Sequence, residues 1–420
     1  MEFQIPYGHT SLRVSLPDHF RVKILESPNP LRIAQPQLAV QKELENLLGG
    51  QIWDTFRSAR TVGIAVNDKT RPVPHAELLP PLLKRLSELG IPDSCITFYI
   101  AIGSHPPMAP TEFHAILPPE ILQRYRVVSH NSEDQSLLMN LGETSRGTPV
   151  WTNRDYFNSD FKIVVGNIEP HQFAGFSGGV KTAAIGLSGL STINANHSLL
   201  THPDSRLGNY ETNPSRQDIE EIGQKIKVHL ALNAILNQQR EIVNILAGDP
   251  REVVRQGLSL SRQACQVAVP EACGLVIASP GGHPKDINVY QAQKALAHAT
   301  LITRPGGTII LAAACPEGSG SAHYENWMAG KLSYADVIEQ FAFEGFRIGP
   351  HKAYLIARDA SRINLRFYTD MDAVKARALL LNPVANLQAA IDKALADLPR
   401  DELVGILPHA STTIPYLEIG

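Results

Sequence analysis

The sequence predicts an α/β fold of two domains with mostly parallel sheets. Short apolar runs rich in β-branched residues alternate with helical patterns along the chain. Each run is followed at once by a cluster of glycine, proline, histidine or charged residues. The length of 420 residues also exceeds the about 250–300 residues at which a single core usually stops growing.

Five predicted strands are recognisable from their apolar runs and the polar clusters that follow them. In chain order these are "TVGIAV" before "NDKTRP", "CITFYIAI" before "GSHPP", "FKIVV" before "GNIEPH", "GLVIAS" before "PGGHPKD", and "GTIILAA" before "ACPEGSG". Strands that alternate with helices form parallel sheets, whose ligands bind beyond the carboxyl ends of the strands. We therefore expect the functional residues in these loops.

The domain boundary is predicted near "CQVAVPEAC", where one α/β region closes and the next strand opens. An N-terminal domain over 1–268 and a C-terminal domain over 269–403 follow. Because chain ends often return to the first domain, the tail 404–420 is expected to pack back onto it.

Composition favours a small-molecule enzyme in the cytoplasm. The formal net charge is −3, and no block of five like charges suggests nucleic acid or a membrane as partner. The first residues lack a signal-peptide pattern, and no apolar run reaches the roughly 20 residues of a membrane span. The four cysteines form no C-x-x-C pair. A bound metal would therefore take histidine or carboxylate ligands from the protein, or sulfur from a cofactor.

The stretch "FSGGVK" places Ser177, Gly178 and Gly179 just before a predicted helix. Flexible residues at such a point let backbone N–H groups converge on a phosphate. Lys181 would then lie beside the ligand, as a nucleophile, a cofactor tether or a pyridoxal-phosphate lysine. The alternative is a tight turn with a solvated lysine.

His105 and His171 both lie in loops directly after predicted strands. Two such loops meeting in one cleft would supply a pair of bases that work near neutral pH. Each histidine on its own is equally compatible with a structural role.

His197 lies in "STINANHSLLTH", a predicted helix that begins at Ser191 or Thr192. Ile193, His197 and Leu200 share one face of this helix. A histidine in an apolar stripe is usually a core residue, whereas a metal ligand needs an oriented imidazole and further donors.

Charged and polar groups in two other segments are candidates for substrate binding. Asp68 and Arg71 follow the first strand, where Arg71 would grip a carboxylate through two hydrogen bonds. Tyr290, Gln291 and Lys294 occupy one helical turn, with Tyr290 and Lys294 on a shared face. The alternatives are a surface turn with an ion pair and a partly exposed helix.

Taken together, five segments resemble the lactate racemase family, whose members use a nickel-pincer nucleotide. The segments "NDKTRPVPH", "AIGSHPP", "IEPHQFAGFSGGVK", "INANHS" and "DINVYQAQKAL" occur in the family's order over 68–294. The sequence departs from the family at Val180, where many members have a basic residue, and it lacks a Pro-Gly farther on.

The resemblance implies a cofactor, nickel pyridinium-3,5-bisthiocarboxylic acid mononucleotide, that binds nickel through sulfur, carbon and sulfur. Lys181 resembles the lysine that carries it as a thioamide, and His197 resembles the protein's nickel ligand. The glycine turn at 177–179 would receive the phosphate. Soft sulfur donors suit nickel, so one imidazole would complete the site.

The resemblance also implies roles at the substrate. His105 and His171 match the two acid/base residues, and Arg71 and Lys294 would hold the substrate carboxylate. The residues that would support the substrate and the bases are Asp68, Tyr290 and Gln291. We expect the active site in a cleft between the two domains.

The implied reaction is racemisation or epimerisation at C2 of a 2-hydroxy acid, lactate or a relative, by hydride transfer through a 2-keto acid. The implied partners are this small substrate and the enzymes that make the cofactor. A zinc- or pyridoxal-phosphate-dependent enzyme and a non-catalytic nucleotide-binding protein stay open as alternatives.

Overall fold

The structure is a computed structural model, and it describes residues 1–56 and 58–418. The chain divides into two compact units. The central unit is Asn29–Ala264, and the terminal unit combines Met1–Pro28 with Cys265–Gly420. Each unit has a six-stranded sheet, and the predicted α/β fold with mostly parallel sheets is confirmed.

The chain begins in the terminal unit with three strands, β1 (Glu2–Tyr7), β2 (Thr10–Ser15) and β3 (Arg21–Ile24). β1 and β2 form an antiparallel hairpin, paired from Glu2 with Ser15 to Tyr7 with Thr10.

The central unit contains ten strands and nine helices among the described residues. The strands are β4 (Val62–Asn67), β5 (Ile96–Ala101), β6 (Arg126–Ser129), β7 (Leu138–Glu143), β8 (Pro149–Asn153), β9 (Phe161–Asn167), β10 (Pro170–His171), β11 (Gly175–Phe176), β12 (Leu230–Leu236) and β13 (Ile242–Gly248). The helices are α1 (Pro36–Glu45), α2 (Trp53–Phe56), α3 (His75–Glu88), α4 (Pro119–Arg124), α5 (Arg154–Asn158), α6 (Lys181–Ala184), α7 (Leu190–Ser198), α8 (Pro214–Ile226) and α9 (Pro250–Cys265), which ends one residue past the unit.

The main sheet of the central unit has the strand order β13-β12-β9-β4-β5-β6. β13 is antiparallel to β12, and every other neighbouring pair is parallel. The middle strands are apolar and fully buried at Ile64, Phe98 and Ile163, as a parallel sheet covered on both faces requires.

The rest of the terminal unit is again α/β. Its strands are β14 (Gln266–Val269), β15 (Cys273–Ala278), β16 (Thr303–Ala312), β17 (Asn364–Tyr368), β18 (Pro383–Val384), β19 (Leu403–Leu407) and β20 (Ile414–Leu417). Its helices are α10 (Val289–Ala299), α11 (Ala322–Met328), α12 (Tyr334–Glu344), α13 (Pro350–Ala360), α14 (Ala373–Ala378) and α15 (Leu387–Ala396). The main sheet has the order β18-β17-β16-β15-β19-β3, and all its pairs are parallel.

This division differs from the expected domains 1–268 and 269–403 at both chain ends. β19 inserts between β15 and β3, with Val404 paired to Leu275. All five residues of β19 are buried, so this apolar segment needs a strand on each side. The tail 404–420, expected to return to the first domain, thus pairs within the terminal unit together with Met1–Pro28.

In the part of the chain that the structure describes, no helix is both long enough and apolar enough to cross a membrane.

Candidate active site

Three loops after parallel strands meet at one edge of the central sheet. β4 pairs with β5 and with β9, so the carboxyl ends of these strands lie together. A cavity of about 140 Å³ opens at this edge. Eight of the nine site residues predicted in the central unit line it: Asp68, Arg71, His105, His171, Ser177, Gly178, Lys181 and His197.

Asp68 and His105 form a carboxylate–imidazole pair in which the carboxylate is buried and the imidazole is half-exposed. Asp68 is only 5% exposed, and its Oδ2 lies 2.7 Å from Nδ1 of His105. The hydroxyl and backbone N–H of Thr70 donate to Oδ1 at 2.7 and 3.0 Å. Burial raises the pKa of Asp68, but the hydrogen bonds of His105 and Thr70 outweigh it, so the pKa lies below its ordinary value. An ionised Asp68 fixes the proton of a neutral His105 on Nδ1 and leaves Nε2 as an acceptor.

His171 is held differently. The backbone N–H of Ala174 donates to Nδ1 of His171 at 3.2 Å, and the ring meets Phe173 edge-on at 4.7 Å. Nδ1 of His171 thus accepts from a backbone N–H, whereas Nδ1 of His105 faces the carboxylate of Asp68. The two predicted bases are therefore not equivalent in this structure.

Arg71 lies between His171 and an acidic residue that sequence reasoning missed. Its Nη2 is 3.5 Å from Nε2 of His171, and its Nη1 is 3.4 Å from Oε1 of Glu169. The side chains of Arg71 and Glu169 are 43% and 41% exposed, so this ion pair is weak, and another anion with better geometry can displace Glu169 from Arg71.

Lys181 is the first residue of the one-turn helix α6. Burial, and then the positive charges of Arg71 and Arg216, lower the pKa of Lys181 well below its ordinary value, although Glu169 opposes the shift. A neutral amine is a nucleophile, whereas an ordinary protonated lysine is not.

His197 lies on α7, which begins at Leu190, one or two residues before the predicted start at Ser191 or Thr192. As predicted, Ile193 and Leu200 on the same side are buried. Burial, and then the charges of Lys181 and Arg71, lower the pKa of His197 to about 3. The imidazole is therefore neutral near pH 7 and is suited to bind a metal ion.

The glycine turn needs its glycines for backbone shape and for packing. Gly178 and Gly179 have φ of +84° and +56°, and a Cβ on either would lie 2.4 Å from Ile168 or Val254. Arg216 of α8, fully buried, fastens the turn by donating to the carbonyls of Phe176 and Gly178 at 3.0 and 3.2 Å.

Two of the three backbone N–H groups of the turn that is expected to bind the phosphate already donate to acceptors within the protein. The N–H of Ser177 donates to the carbonyl of Glu169 at 2.8 Å, and the N–H of Gly179 donates to Oδ1 of Asn233 at 2.7 Å. Gly179 is also the predicted residue that does not line the cavity. Because α6 has only four residues, its dipole adds little.

The remaining predicted residues lie on α10 of the terminal unit. Nζ of Lys294 donates to Oε1 of Gln291 at 3.0 Å. The hydroxyl of Tyr290 is 3.5 Å from Nε2 of His351, and Nζ of Lys352 lies 4.6 Å from the centre of the Tyr290 ring. His351 and Lys352 belong to α13, and no local sequence signal connects them to Tyr290.

Comparison with known proteins gives a family for both parts of the chain. The lactate racemase N-terminal domain family matches residues 7–208, and the lactate racemase C-terminal domain family matches residues 269–414. A lactate racemase from Lactiplantibacillus plantarum is 32% identical over 307 residues, which is 72% of each chain. The chain belongs to the lactate racemase family.

Other relatives agree with this assignment. A lactate racemase from Thermoanaerobacterium thermosaccharolyticum is 27% identical over 98% of both chains. A structure of the lactate racemase apoprotein from that organism superimposes with a TM-score of 0.91 at 26% identity, over 99% of this chain and 100% of the other. A Thermotoga maritima structure, at 20% identity and a TM-score of 0.65 over 94% of this chain and 100% of the other, shares the fold. As a member of the lactate racemase family, the chain is an isomerase with racemase activity.

Proposed function

We propose that this racemase inverts C2 of a 2-hydroxy acid, either lactate, on which the named relatives act, or a close analogue. The observation that carries the proposal is that one cavity holds the Asp68–His105 pair, an arginine whose ion pair is half-exposed, and a lysine whose pKa is lowered by burial. These groups supply a hydroxyl base, a carboxylate anchor and a point of covalent attachment.

The residues of the cavity fit the nickel-pincer nucleotide implied by the resemblance. Lys181, whose pKa is lowered by burial, is suited to carry it as a thioamide, and a neutral His197 is suited to bind its nickel. Within the described residues, no group of three or more His, Cys, Asp or Glu can hold a metal ion, so the proposal assigns the remaining nickel donors to the cofactor. When bound, this group would accept the C2 hydrogen as hydride and return it.

Arg71 is proposed to hold the substrate carboxylate through its planar guanidinium. The ion pair with Glu169 is half-exposed, so a carboxylate that offers two oxygens at better geometry would displace it. By resemblance, Lys294 is proposed to assist, and Tyr290 and Gln291 to support the substrate and the bases.

His105 is proposed to take the hydroxyl proton of one enantiomer at Nε2. The carboxylate of Asp68, 2.7 Å from Nδ1, would stabilise the imidazolium that forms. His171 is proposed to serve the other enantiomer, and its Nε2 must be unprotonated when it does so.

Chiral chromatography tests the proposal. The chain, co-expressed with enzymes that make the cofactor, is incubated with single enantiomers of lactate, malate, an aryl-lactate and a sugar acid. We expect one of these to approach equal amounts of both configurations at C2, and we expect Asp68→Asn to slow the conversion. Failure of the cofactor-loaded protein to convert any of the four would refute the proposal.

A further inference from the structure

Two buried polar residues that the proposed function does not use, Asn196 of α7 and Asp218 of α8, connect α8 to His197. Asn196 and Asp218 are both 0% exposed. Nδ2 of Asn196 donates to Oδ2 of Asp218 at 2.9 Å and to the carbonyl of Ser215 at 2.9 Å. The other carboxylate oxygen of Asp218 accepts from the hydroxyl of Thr144 at 2.6 Å. Both oxygens of Asp218 are thus acceptors with a donor in place.

This arrangement determines which way the amide of Asn196 faces. If the amide were turned over, its oxygen would face two acceptors, the carboxylate of Asp218 and the carbonyl of Ser215, with no hydrogen between them. In a buried site an unsatisfied pair of this kind costs about 1–3 kcal/mol or more. The amide oxygen Oδ1 therefore faces the other side, where it accepts from the hydroxyl of Ser215 at 3.3 Å and lies 3.2 Å from Nδ1 of His197.

An amide oxygen can only accept a hydrogen bond, so Nδ1 of His197 must be the donor. A neutral imidazole has one proton, and the proton on Nδ1 leaves the lone pair on Nε2. The edge of Phe173 packs against the same ring, with centroids 4.9 Å apart at 70°, which restricts its rotation.

We propose that Asn196 and Asp218 are positioning residues that set the tautomer of His197, so that Nε2 is the nitrogen that ligates a metal. The inference rests on the proposed function only where it calls His197 a ligand. The tautomer itself is a property of the protein without cofactor. Partners that orient a ligating histidine commonly change metal affinity by about 10- to 100-fold when removed.

The first experiment reads the tautomer directly in the full chain without cofactor. Long-range ¹H–¹⁵N correlation spectra of protein labelled with ¹⁵N in its histidine rings separate protonated from unprotonated ring nitrogens, and a His197→Gln variant assigns the signals. We expect Nδ1 of His197 to be protonated and Nε2 to be unprotonated. A proton on Nε2, or an average of both tautomers, would overturn the proposal.

The second experiment removes the acceptor. Asn196→Leu keeps the size of the side chain but has no oxygen for Nδ1, so the preference for the Nδ1–H tautomer should be lost. Asn194→Leu, two residues earlier and hence on another side of α7, is the matched control and should leave the His197 signals unchanged. Should Asn196→Leu fail to fold, Asp218→Asn, which removes one of the two acceptors that hold the amide of Asn196, is expected to raise the share of the Nε2–H tautomer of His197. Unchanged His197 signals in the folded variant would contradict a positioning role.

Nickel content separates this inference from the proposed function. After co-expression with cofactor-making enzymes and extensive dialysis, Asn196→Leu should retain roughly 10- to 100-fold less nickel per chain than the Asn194→Leu control. If the tautomer is as expected but His197→Gln retains as much nickel as the wild type, the ligand role of His197 fails and the positioning role stands.

Discussion

Arg216→Met should loosen the glycine turn that precedes Lys181. Arg216 is fully buried. Its Nε and Nη2 donate to Oε1 of Glu220 at 3.0 and 2.5 Å. Its Nη1 and Nη2 also donate to the carbonyls of Phe176 and Gly178. Methionine fills most of the volume but leaves the carboxylate of Glu220 and two carbonyls without these donors. Removing one member of a buried ion pair costs about 3–5 kcal/mol.

Hydrogen exchange followed by mass spectrometry measures this cost locally. Since 1.4 kcal/mol corresponds to a factor of ten, a cost of about 3–5 kcal/mol should lower exchange protection in α8 and in the peptide 173–181 by roughly 10²- to 4 × 10³-fold. The double variant Arg216→Met with Glu220→Gln no longer buries an unpaired charge, so it should recover part of that protection.

Arg262→Met is the matched control. Arg262 lies 5.4 Å from the centre of the Phe176 ring, but it donates to the carbonyl of Gly208 rather than to the turn. We expect little change in the exchange of peptide 173–181 in this variant. Equal effects of the Arg216 and Arg262 substitutions, or a double variant that is worse than Arg216→Met alone, would refute the reasoning.

Three further predictions concern the cavity. Because its pKa is lowered, Lys181 should be acetylated by dilute acetic anhydride at pH 8 ahead of ordinary lysines, whose pKa is about 10.4, and peptide mapping measures this order. In cofactor-loaded protein, Lys181→Ala should abolish a mass increment of one mononucleotide. Arg71→Lys keeps the charge but loses the planar fork, so kcat/KM should fall by about tenfold or more, and near-normal kinetics would assign the carboxylate to another residue. In rapid mixing with pure enantiomers, His105→Ala and His171→Ala should each keep the cofactor absorbance change with one hand and lose it with the other; loss of the same hand in both would exclude the two-base assignment.

The edge of the sheet that holds the cavity was predictable because it follows from local patterns. Asp68, His105 and His171 each follow a buried apolar run, and parallel strands bring such residues together whatever the rest of the fold does. Their roles required more than periodicity, since a polar residue after a strand is also an ordinary turn. The resemblance to a family supplied those roles.

The residues that hold the site in place were not predictable from the sequence. Arg216 lies 38 residues after Gly178, and Asp218 lies 22 residues after Asn196. In the sequence both read as ordinary helix surface, and only the packing of α8 buries them. The pairing of the tail was not predictable for a similar reason: Leu403–Leu407 is a strand whose partners, β15 and β3, lie more than 100 residues away.

The most direct test of the proposed reaction follows the hydrogen at C2. One enantiomer of the accepted 2-hydroxy acid, deuterated at C2, is incubated in ordinary water with the loaded enzyme, and the two enantiomers are separated and analysed by mass spectrometry. If C2 gives up its hydrogen as hydride while His105 and His171 exchange only the hydroxyl proton, the newly formed enantiomer keeps its deuterium. A product that carries hydrogen from water at C2 would show that a base removes the C2 proton, and it would contradict the account.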